Sequence, residues 1–408
     1  MKMIQELAVS TPGIKRSEVV YQHMRDPALL KYYYKMKAVS LMSGNEIAGS
    51  SPTDLFVGRY NYPKVFIGPL LPPEFGDTSI LSTPERWRYL DIEKIVEMRS
   101  KLVRGMYTAN VYDVEKGKFE KQMRDLALAE RPAEAEVKLD KKPFVKIAVN
   151  DDVEPFGPSV VMKDFDLYNI KSDKKLESLY GDDSATASTA LKELYERGVP
   201  VSKLQRALSA GLFGTKNNRK FVPTRWSITA VDDTISKANL SEVKYNEPVD
   251  AIHVFYNSAL DNRWLIFFFP GYWQYESIEV WYPHTIWNDG RDVSIYSSYE
   301  GYRGRKTYAE IGGCYYAARL AVTEKLQAMK KQAMVLILRE THEGYIMPVG
   351  VWNVREHVRQ TLETKPDVLE DLSQAFDYIK SKLAIPPKEW VRNSTILRNL
   401  LMQKRLFY

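Results

Sequence analysis

The chain has 408 residues, of which 44% are hydrophobic and 27% are charged, so it can bury a full core, and a disordered chain is excluded. Its 58 lysine and arginine residues exceed its 52 aspartate and glutamate residues, and the formal charge of +6 is compatible with a polyanionic partner. One cysteine, Cys314, excludes a disulfide framework and a thiolate zinc site, and the five histidines are far apart, so we expect no zinc.

Apolar runs in this sequence are short. No window approaches the roughly eighteen apolar residues of a membrane-spanning helix. The apolar run between Met1 and Thr11 is also too short for a signal peptide. We therefore expect a cytoplasmic protein that has no membrane partner.

The first region, residues 1–130, is predicted to combine helices with a β-hairpin. Helical spacing of apolar residues marks Ser17 to Leu41. Phe56–Tyr60 and Lys64–Gly68 are typical of two strands joined by a short turn. Thr83, which precedes a proline, predicts an N-cap, and the helix that it starts should continue to about Val103.

The middle region, residues 131–215, is predicted to be mostly helical. It follows a charged stretch in which Phe119–Glu130 predicts a helix and the residues up to Pro143 predict a solvated connection. From Ser184 to Gly211 the pattern indicates two helices with a turn at Gly198. The pair is either a plain helical hairpin, which is the commoner arrangement, or a helix-turn-helix that reads DNA.

The last two regions are an α+β core at residues 216–390 and a C-terminal helix with a tail at residues 391–408. The fold class that we predict is α+β, with a mixed sheet core and flanking helices, because helices and strands are mixed without strict alternation. The predicted elements of the core are strands at Ile252–Tyr256, Trp264–Phe269, Ser277–Trp281 and Ala333–Leu338, and helices at Tyr308–Gln332 and Pro366–Leu383.

A glycine-rich stretch from Asn288 to Arg305 carries the densest group of polar side chains. Glycines let a ligand approach the backbone, arginines pair with phosphate oxygens, and tyrosine rings stack on bases. The stretch is either a nucleotide or nucleic-acid contact or a hydrogen-bonded loop that braces the sheet. Its candidate binding residues are Arg291, Tyr299, Tyr302, Arg303 and Arg305.

A second group of candidates surrounds a tryptophan. Arg219, Arg225 and Trp226 combine basic and aromatic side chains in the way that nucleotide contacts require. Asp232 and Asp233 follow within one segment, and paired carboxylates are candidate ligands of Mg²⁺. The alternative is that Asp232 is the N-cap of a helix from Thr234 to Leu240.

No motif in the sequence establishes an enzyme. A Walker loop, a Ser-His-Asp order and a dinucleotide-binding glycine motif are all absent from the sequence. Four carboxylates remain candidates for catalysis with Mg²⁺: Asp232, Asp233, Asp289 and Glu300. A separate basic face is expected from Arg59 and Lys64 in the hairpin and from Arg99, Lys101 and Arg104, unless these are dispersed solubilising charges.

The last residues of the chain carry an apolar tail. Gln403 is followed three positions later by Leu406 and then directly by Phe407 and Tyr408. This order resembles the peptide by which replication and repair proteins bind the sliding clamp PCNA, although the usual two-residue spacer before the aromatic pair is missing. The alternative is a helix end that packs on its own domain.

Four long stretches of the sequence resemble the archaeal Nre family of DNA repair proteins: Phe56–Leu70, Val222–Asp233, Trp287–Tyr308 and Gly350–Arg359. The resemblance implies a clamp-binding peptide at the C-terminus. Many relatives also begin with a cysteine cluster that this chain lacks, so a role of that zinc module is not implied.

These observations predict a DNA repair factor that binds nucleic acid or a nucleotide and is recruited to PCNA by its C-terminal peptide. Two alternatives stay open. One is a Mg²⁺-dependent enzyme that acts on nucleotides or phosphodiesters, and the other is a non-catalytic scaffold at the clamp.

Overall fold

The computed structural model describes residues 44–143 and 155–406, except residues 284, 286, 287, 289 and 346, and gives only the backbone of residues 403–406. Within these ranges the chain forms eleven α-helices and two mixed six-stranded sheets, which confirms the predicted α+β class. The predicted helix from Ser17 to Leu41 lies outside the described residues. None of the helices in the described ranges is long and apolar enough to cross a bilayer.

The helices vary in length from seven to twenty residues. They are α1 (Ile92–Ser100), α2 (Lys118–Leu128), α3 (Lys174–Tyr180), α4 (Ala187–Glu196), α5 (Val201–Ser209), α6 (Thr224–Val243), α7 (Gly313–Met329), α8 (Trp352–Glu363), α9 (Leu372–Lys382), α10 (Pro387–Asn393) and α11 (Thr395–Leu406).

The first sheet contains the strands of the N-terminal half in the order β1-β5-β6-β4-β3-β2. They are β1 (Glu46–Ser51), β2 (Leu55–Val57), β3 (Lys64–Leu71), β4 (Val103–Asn110), β5 (Ala133–Leu139) and β6 (Ser159–Tyr168). The predicted hairpin is confirmed, since β2 pairs antiparallel with β3 and Phe56 lies opposite Gly68. Because β2 is an edge strand, the connecting turn at residues 58–63 lies at the border of the sheet.

The predicted solvated connection before Pro143 is wrong, because β5 occupies most of it. This strand pairs with β1 and β6, and its side chains alternate between buried and exposed. Its inward positions include the small residues Ala133 and Ala135, and its outward positions are charged. Alternation between alanine and glutamate is a weak hydrophobic signal, so the strand was missed.

The predicted helix from Thr83 to Val103 is also wrong, because the segment is broken into shorter pieces. It contains one 3₁₀ turn, helix α1 and the first residue of β4: Pro84–Arg86, Ile92–Ser100 and Val103. The Thr83 hydroxyl donates to the carbonyl of Ser79 instead of capping a helix. Trp87 is completely buried between these pieces, so tertiary packing overrides the local helix signal.

Helices α4 and α5 confirm the predicted pair, and Gly198 between them has a φ of 77°, which favours glycine. Seven of the nine residues of α5 are buried. A DNA-reading helix needs an exposed face that enters a groove, so this arrangement supports the plain helical hairpin.

The second sheet has the order β10-β9-β11-β8-β7-β12. Its strands are β7 (Ile252–Ala259), β8 (Asn262–Phe269), β9 (Gln274–Trp281), β10 (Ser294–Glu300), β11 (Met334–Thr341) and β12 (Asp367–Leu369). Along β8, Ile266 and Phe268 pack toward α6, α7 and α8, whereas Leu265 and Phe267 pack toward α9, α10 and α11. Helices therefore cover both faces of this sheet.

The predicted elements of the second half are found with shifted ends. Helix α7 starts at Gly313 rather than at Tyr308, and the predicted helix from Pro366 to Leu383 is divided into β12 and α9. The Asp371 carboxylate accepts the backbone N–H of Gln374 and so caps α9.

Helix α8 carries a histidine in the core. The Nδ1 atom of His357 lies 2.8 Å from the carbonyl oxygen and 2.6 Å from the amide oxygen of Asn353, so Nδ1 carries a hydrogen and donates. Its Nε2 atom is buried and has no hydrogen-bond partner among the described residues. Burial therefore lowers the pKa of His357 to about 4.

The low pKa of His357 predicts a loss of stability in acid. Below an ordinary pKa of about 6.5 the unfolded chain binds a proton at this residue that the folded chain excludes until about pH 4. From pH 7 to pH 5 the free energy of unfolding of the native chain should fall by about 2 kcal/mol more than that of a His357→Gln variant. Urea unfolding at both pH values measures this difference, and equal slopes against pH would contradict the assignment.

Candidate functional site

A cavity of about 500 Å³ lies where the β2–β3 turn, the first half of α6 and the segment before α7 meet. Its walls carry two arginines, a tryptophan and two tyrosines. The lining residues are Arg59, Arg225, Trp226, Thr229, Ala230, Asp233, Tyr308 and Tyr316. We call this space the aromatic cavity.

The first turn of α6 is fixed by a threonine. The Thr224 hydroxyl oxygen accepts the backbone N–H of Val57 at 2.9 Å and lies 3.3 Å from the hydroxyl of Ser209. These contacts attach α6 to β2 and α5. Arg225 and Trp226 follow directly in the chain and are therefore held beside the hairpin turn.

The rings of the aromatic cavity have open faces. Trp226 is 46% exposed, and its ring centroid lies 5.3 Å from that of Tyr62. Tyr308, which also lines the cavity, is 58% exposed, and its ring centroid lies 5.4 Å from that of Tyr316. Half-exposed rings next to guanidinium groups suit a planar, anionic ligand.

Among the residues that line the aromatic cavity, Asp233 is the acidic one. Its negative charge is balanced by two basic side chains of the protein. Its carboxylate accepts hydrogen bonds from Arg319 of α7 and, at 2.7 Å, from Lys237 Nζ. Arg59 and Arg225 bring two more guanidinium groups to the cavity, and the N-terminal dipole of α6 also favours an anion there.

Two of the predicted binding residues in the glycine-rich stretch brace the protein. Arg305 donates to the carbonyl of Tyr299 at 2.7 Å and to both carboxylate oxygens of Glu310. The hydrogen bond from Arg305 lowers the pKa of Glu310 to about 2. The Tyr299 hydroxyl donates to Gln274 at 2.9 Å, which ties β10 to β9. For Tyr299 and Arg305 the structure therefore supports the alternative of a hydrogen-bonded loop that braces the sheet.

The other predicted residues of that stretch, Arg291, Tyr302 and Arg303, are exposed. Tyr302 lies beside Lys244, which donates to its carbonyl oxygen at 2.6 Å, just past the C-terminal end of α6. Trp226 lies at the opposite end of this helix, about 27 Å away along its axis at 1.5 Å per residue. The two predicted groups of binding residues therefore do not share the aromatic cavity.

Arg219 is buried and serves the structure of its own loop. It donates to the backbone carbonyls of Gly214, Tyr180 and Asp182. Its guanidinium carbon also lies 4.7 Å from the centroid of the Tyr180 ring. A ligand contact through Arg219 would have to break this arrangement.

The candidate catalytic carboxylates bind arginines instead of each other. Asp232 is completely buried in the middle of α6, so its interpretation as an N-cap is wrong, and both of its oxygens lie 2.8 Å from Arg355 Nη1. Burial raises the pKa of Asp232 to about 6, against the effect of Arg355. Glu300 is buried and accepts from Arg319 at 2.9 Å.

The described side chains supply no group of three or more His, Cys, Asp or Glu residues that would hold a metal ion. The fourth candidate carboxylate, Asp289, lies outside the described residues. The arrangement of the described candidates is thus one of ion pairs within the core rather than of a Mg²⁺ site.

The separate basic face predicted from the hairpin and α1 is not assembled. Arg99 is buried and paired with Asp54 at 2.9 Å. Arg104 is buried against the Phe56 ring, and burial lowers its pKa to about 9. Arg59 instead belongs to the aromatic cavity.

Sequence reasoning missed three tyrosines, of which two line the aromatic cavity and one packs beside its Trp226. Tyr62 lies in the hairpin turn, and Tyr308 and Tyr316 flank the start of α7. An aromatic residue in a tight turn is a usable signal, since turns lie at the surface. Nothing in the local sequence indicates that Tyr308 and Trp226 approach each other.

The C-terminal helix is anchored at its start. Glu276 of β9 accepts the hydroxyl of Ser394 at 2.6 Å and the backbone N–H groups of Thr395 and Ile396 at 2.7 and 3.0 Å. Ile396 is buried, whereas Met402 is 61% exposed. The start of the helix is therefore packed on the domain, and Met402 lies on the exposed side of the helix.

The tail residues are only partly described. Gln403 and Leu406 belong to the backbone of α11, their side chains are outside the described atoms, and Phe407 and Tyr408 lie outside the described residues.

The Asp232–Arg355 pair predicts a structural phenotype. Asp232→Asn leaves the Arg355 charge buried without its carboxylate, so the variant should lose about 3 kcal/mol of unfolding free energy. Chemical denaturation measures the loss. The exposed Asp377→Asn substitution is the matched control and should change stability by less than about 0.5 kcal/mol. An Asp232→Asn variant as stable as the native chain would return this carboxylate to the list of candidate ligands.

Comparisons with known proteins identify the family of this chain. The family described as Archaeal Nre, N-terminal, matches residues 23–288, and the family described as Archaeal Nre, C-terminal, matches residues 300–408. The chain is 40% identical to DNA repair protein NreB of Archaeoglobus fulgidus over 354 residues, which cover 86% of this chain and 89% of the relative. No solved structure matches the chain.

Two further relatives are named DNA repair protein NreA. The one from Haloferax volcanii is 35% identical over 371 residues, which cover 88% of each chain. The one from Archaeoglobus fulgidus is 34% identical over 364 residues, which cover 89% of this chain and 90% of the relative. Since the matches extend over nearly all of the sequence, the chain belongs to the archaeal Nre family.

Proposed function

We propose that this chain is a cytoplasmic DNA repair factor that contacts nucleic acid through the aromatic cavity and is recruited to the sliding clamp PCNA by its C-terminal peptide. The repair role is supported by the relatives, which are named DNA repair proteins. The observation that carries the nucleic-acid contact is the meeting of Arg59, Arg225, Trp226 and Tyr308 around one cavity.

The chemistry of the aromatic cavity favours an unpaired base with its phosphate. Trp226 and Tyr308 offer ring faces on two walls, and stacking on such a ring contributes about 1 to 3 kcal/mol per base. Arg59 and Arg225 bring positive charge to the same space. A base inside a duplex has no free face, so single-stranded or locally opened DNA is the preferred partner.

The C-terminal helix supports the recruitment half of the proposal. Glu276 fixes the start of α11, and Met402 near the end of the helix is exposed. Gln403 and Leu406 are three residues apart and so share one side of the helix, with the apolar Phe407 and Tyr408 following. An apolar side of this kind fits a pocket on a partner protein.

The two halves support each other energetically. A weak contact with DNA gains from the high local concentration that a clamp bound to the same DNA provides. The proposal needs no Mg²⁺, because the described candidate carboxylates balance Arg319 and Arg355.

The stacking contact is tested with Trp226→Ala. Loss of one stacked base should weaken binding of a single-stranded oligonucleotide by about tenfold, which corresponds to about 1.4 kcal/mol. Arg225→Gln should weaken binding and reduce the dependence of affinity on salt, because one phosphate contact is removed. Fluorescence anisotropy at several salt concentrations measures both effects.

A matched control for this test is Tyr89→Ala, which removes an aromatic residue that is 81% exposed and does not line the aromatic cavity. Tyr302→Ala tests whether the exposed residues of the glycine-rich stretch also contact the oligonucleotide. If Trp226→Ala binds DNA as the native chain does, or if affinity does not respond to salt, the proposed contact at the aromatic cavity is wrong.

The recruitment half is tested by replacing Leu406 and Phe407 with alanine. This double variant should lose binding to PCNA in a surface plasmon resonance assay and keep the melting temperature of the native chain. Asn399→Ala changes an exposed residue earlier in α11 and is the control that should still bind. A fall in melting temperature together with unchanged PCNA binding would instead support a tail that packs on its own domain.

A further inference from the structure

A second cavity, of about 510 Å³, lies away from the aromatic cavity and is lined mainly by basic and hydroxyl side chains. It is formed by the segment before β5, the start of α3, the α4–α5 turn and the first half of α5. Its charged lining residues are Arg131, Lys171, Lys174, Lys175, Lys203, Arg206, Glu130 and Asp173. We call it the basic cavity.

The charges of the basic cavity do not cancel. Six lining residues are lysine or arginine and two are glutamate or aspartate, so the difference is four positive charges. The whole chain carries only +6 on 408 residues. A large part of the net charge is therefore concentrated around one cavity.

The two acids in the lining each neutralise one lysine. Glu130 lies 2.5 Å from Lys171 Nζ, and Asp173 lies 2.6 Å from Lys203 Nζ. Lys175 donates to the backbone carbonyl oxygen of Arg197. A carbonyl group carries no formal charge, so it does not neutralise the lysine. The surplus is thus carried by four residues: Arg131, Lys174, Lys175 and Arg206.

Arg206 is the most constrained of these four. It donates from Nη1 to the carbonyl of Ser82, and its Nε is buried without a hydrogen-bond partner among the described residues. No carboxylate in the described part of the chain forms an ion pair with this guanidinium. An arginine in a cavity wall whose N–H groups lack acceptors suits an oxyanion, because the oxyanion accepts hydrogen bonds from these N–H groups.

The start of α5 is already occupied, so its dipole is not the main attraction. Glu85 accepts the backbone N–H and the hydroxyl of Ser202, each at 2.9 Å. A ligand in the basic cavity would therefore rely on the side chains of Arg131, Lys174, Lys175 and Arg206.

We propose that the basic cavity binds the phosphate of a nucleotide, either free or at the end of a DNA strand. Its volume lies within the range of about 300 to 1,000 Å³ that is typical of small-molecule sites and exceeds the needs of one phosphate ion. Pro52, Pro132, Val199 and Pro200 give the remainder of the wall an apolar surface against which a sugar and base pack. Its lining residues differ from those of the aromatic cavity, so this inference stands independently of the proposed stacking contact.

The proposal is tested with the double variant Arg131→Gln, Lys174→Gln. Both residues are exposed and form no ion pair with a described residue, so the variant should fold normally. Its affinity for dAMP and for pyrophosphate, measured by isothermal titration calorimetry at low salt, should fall by about tenfold. Lys388→Gln removes an exposed charge on α10 and should bind as the native chain does.

A second variant tests the arrangement of the guanidinium donors of Arg206 rather than its positive charge. Arg206→Lys keeps the positive charge but loses the fork of donors, so nucleotide affinity should also fall while the melting temperature shows that the fold is retained. Repeating the titrations in a Trp226→Ala background separates the basic cavity from the aromatic cavity.

Two oligonucleotides identify the source of the phosphate. If a 5′-phosphorylated single strand binds more tightly than the same strand with a 5′-hydroxyl, and the double variant abolishes this difference, the ligand is a strand end. If the strands bind equally but the double variant still weakens dAMP binding, the ligand is a free nucleotide. The proposal is overturned if the native chain binds neither dAMP nor pyrophosphate at millimolar concentration, or if the double variant binds them unchanged.

Discussion

Buried pairs of arginine and carboxylate hold α6 in place, and the aromatic cavity depends on that helix. Asp232 and Asp233 are adjacent in α6, yet they bind arginines from different helices, Arg355 of α8 and Arg319 of α7. Removing one member of a buried pair leaves the other charge without compensation, so these contacts tolerate little change. They fix the position of α6, and with it the side chains of Arg225 and Trp226 at its start.

Carboxylates of the second sheet hold the C-terminal segments in place by accepting their backbone N–H groups. Glu276 binds the start of α11, and Glu340 accepts the backbone N–H groups of Ala384 and Ile385 before α10. Arg339, the neighbour of Glu340 in β11, pairs with Glu279 and not with Glu340, because neighbouring residues of a strand point to opposite faces. The core of the sheet thus determines where the tail begins.

Some arginines hold loops together, whereas others line the two cavities. Arg99, Arg219 and Arg305 make hydrogen bonds to backbone carbonyls and carboxylates and hold loops together. Further basic side chains line the cavities that adjoin α5 and α6, and the end of α5 is linked to the start of α6 through Ser209 and Thr224. A modest charge for the whole chain therefore conceals a local concentration at the basic cavity, which suits the phosphates of a nucleic acid.

The sequence alone determined the α+β class, the hairpin, the helical pair α4–α5 and most strands of the second sheet, because their hydrophobic periodicity is local and strong. It also placed Arg225 and Trp226 among the binding candidates. Only the tertiary structure decided that Asp232 and Glu300 pair with arginines, that β5 completes the first sheet, and that Tyr62 and Tyr308 stand near Trp226. These contacts join residues far apart in the chain, and a local pattern contains no information about which distant side chain will satisfy a buried charge or face a ring across a cavity.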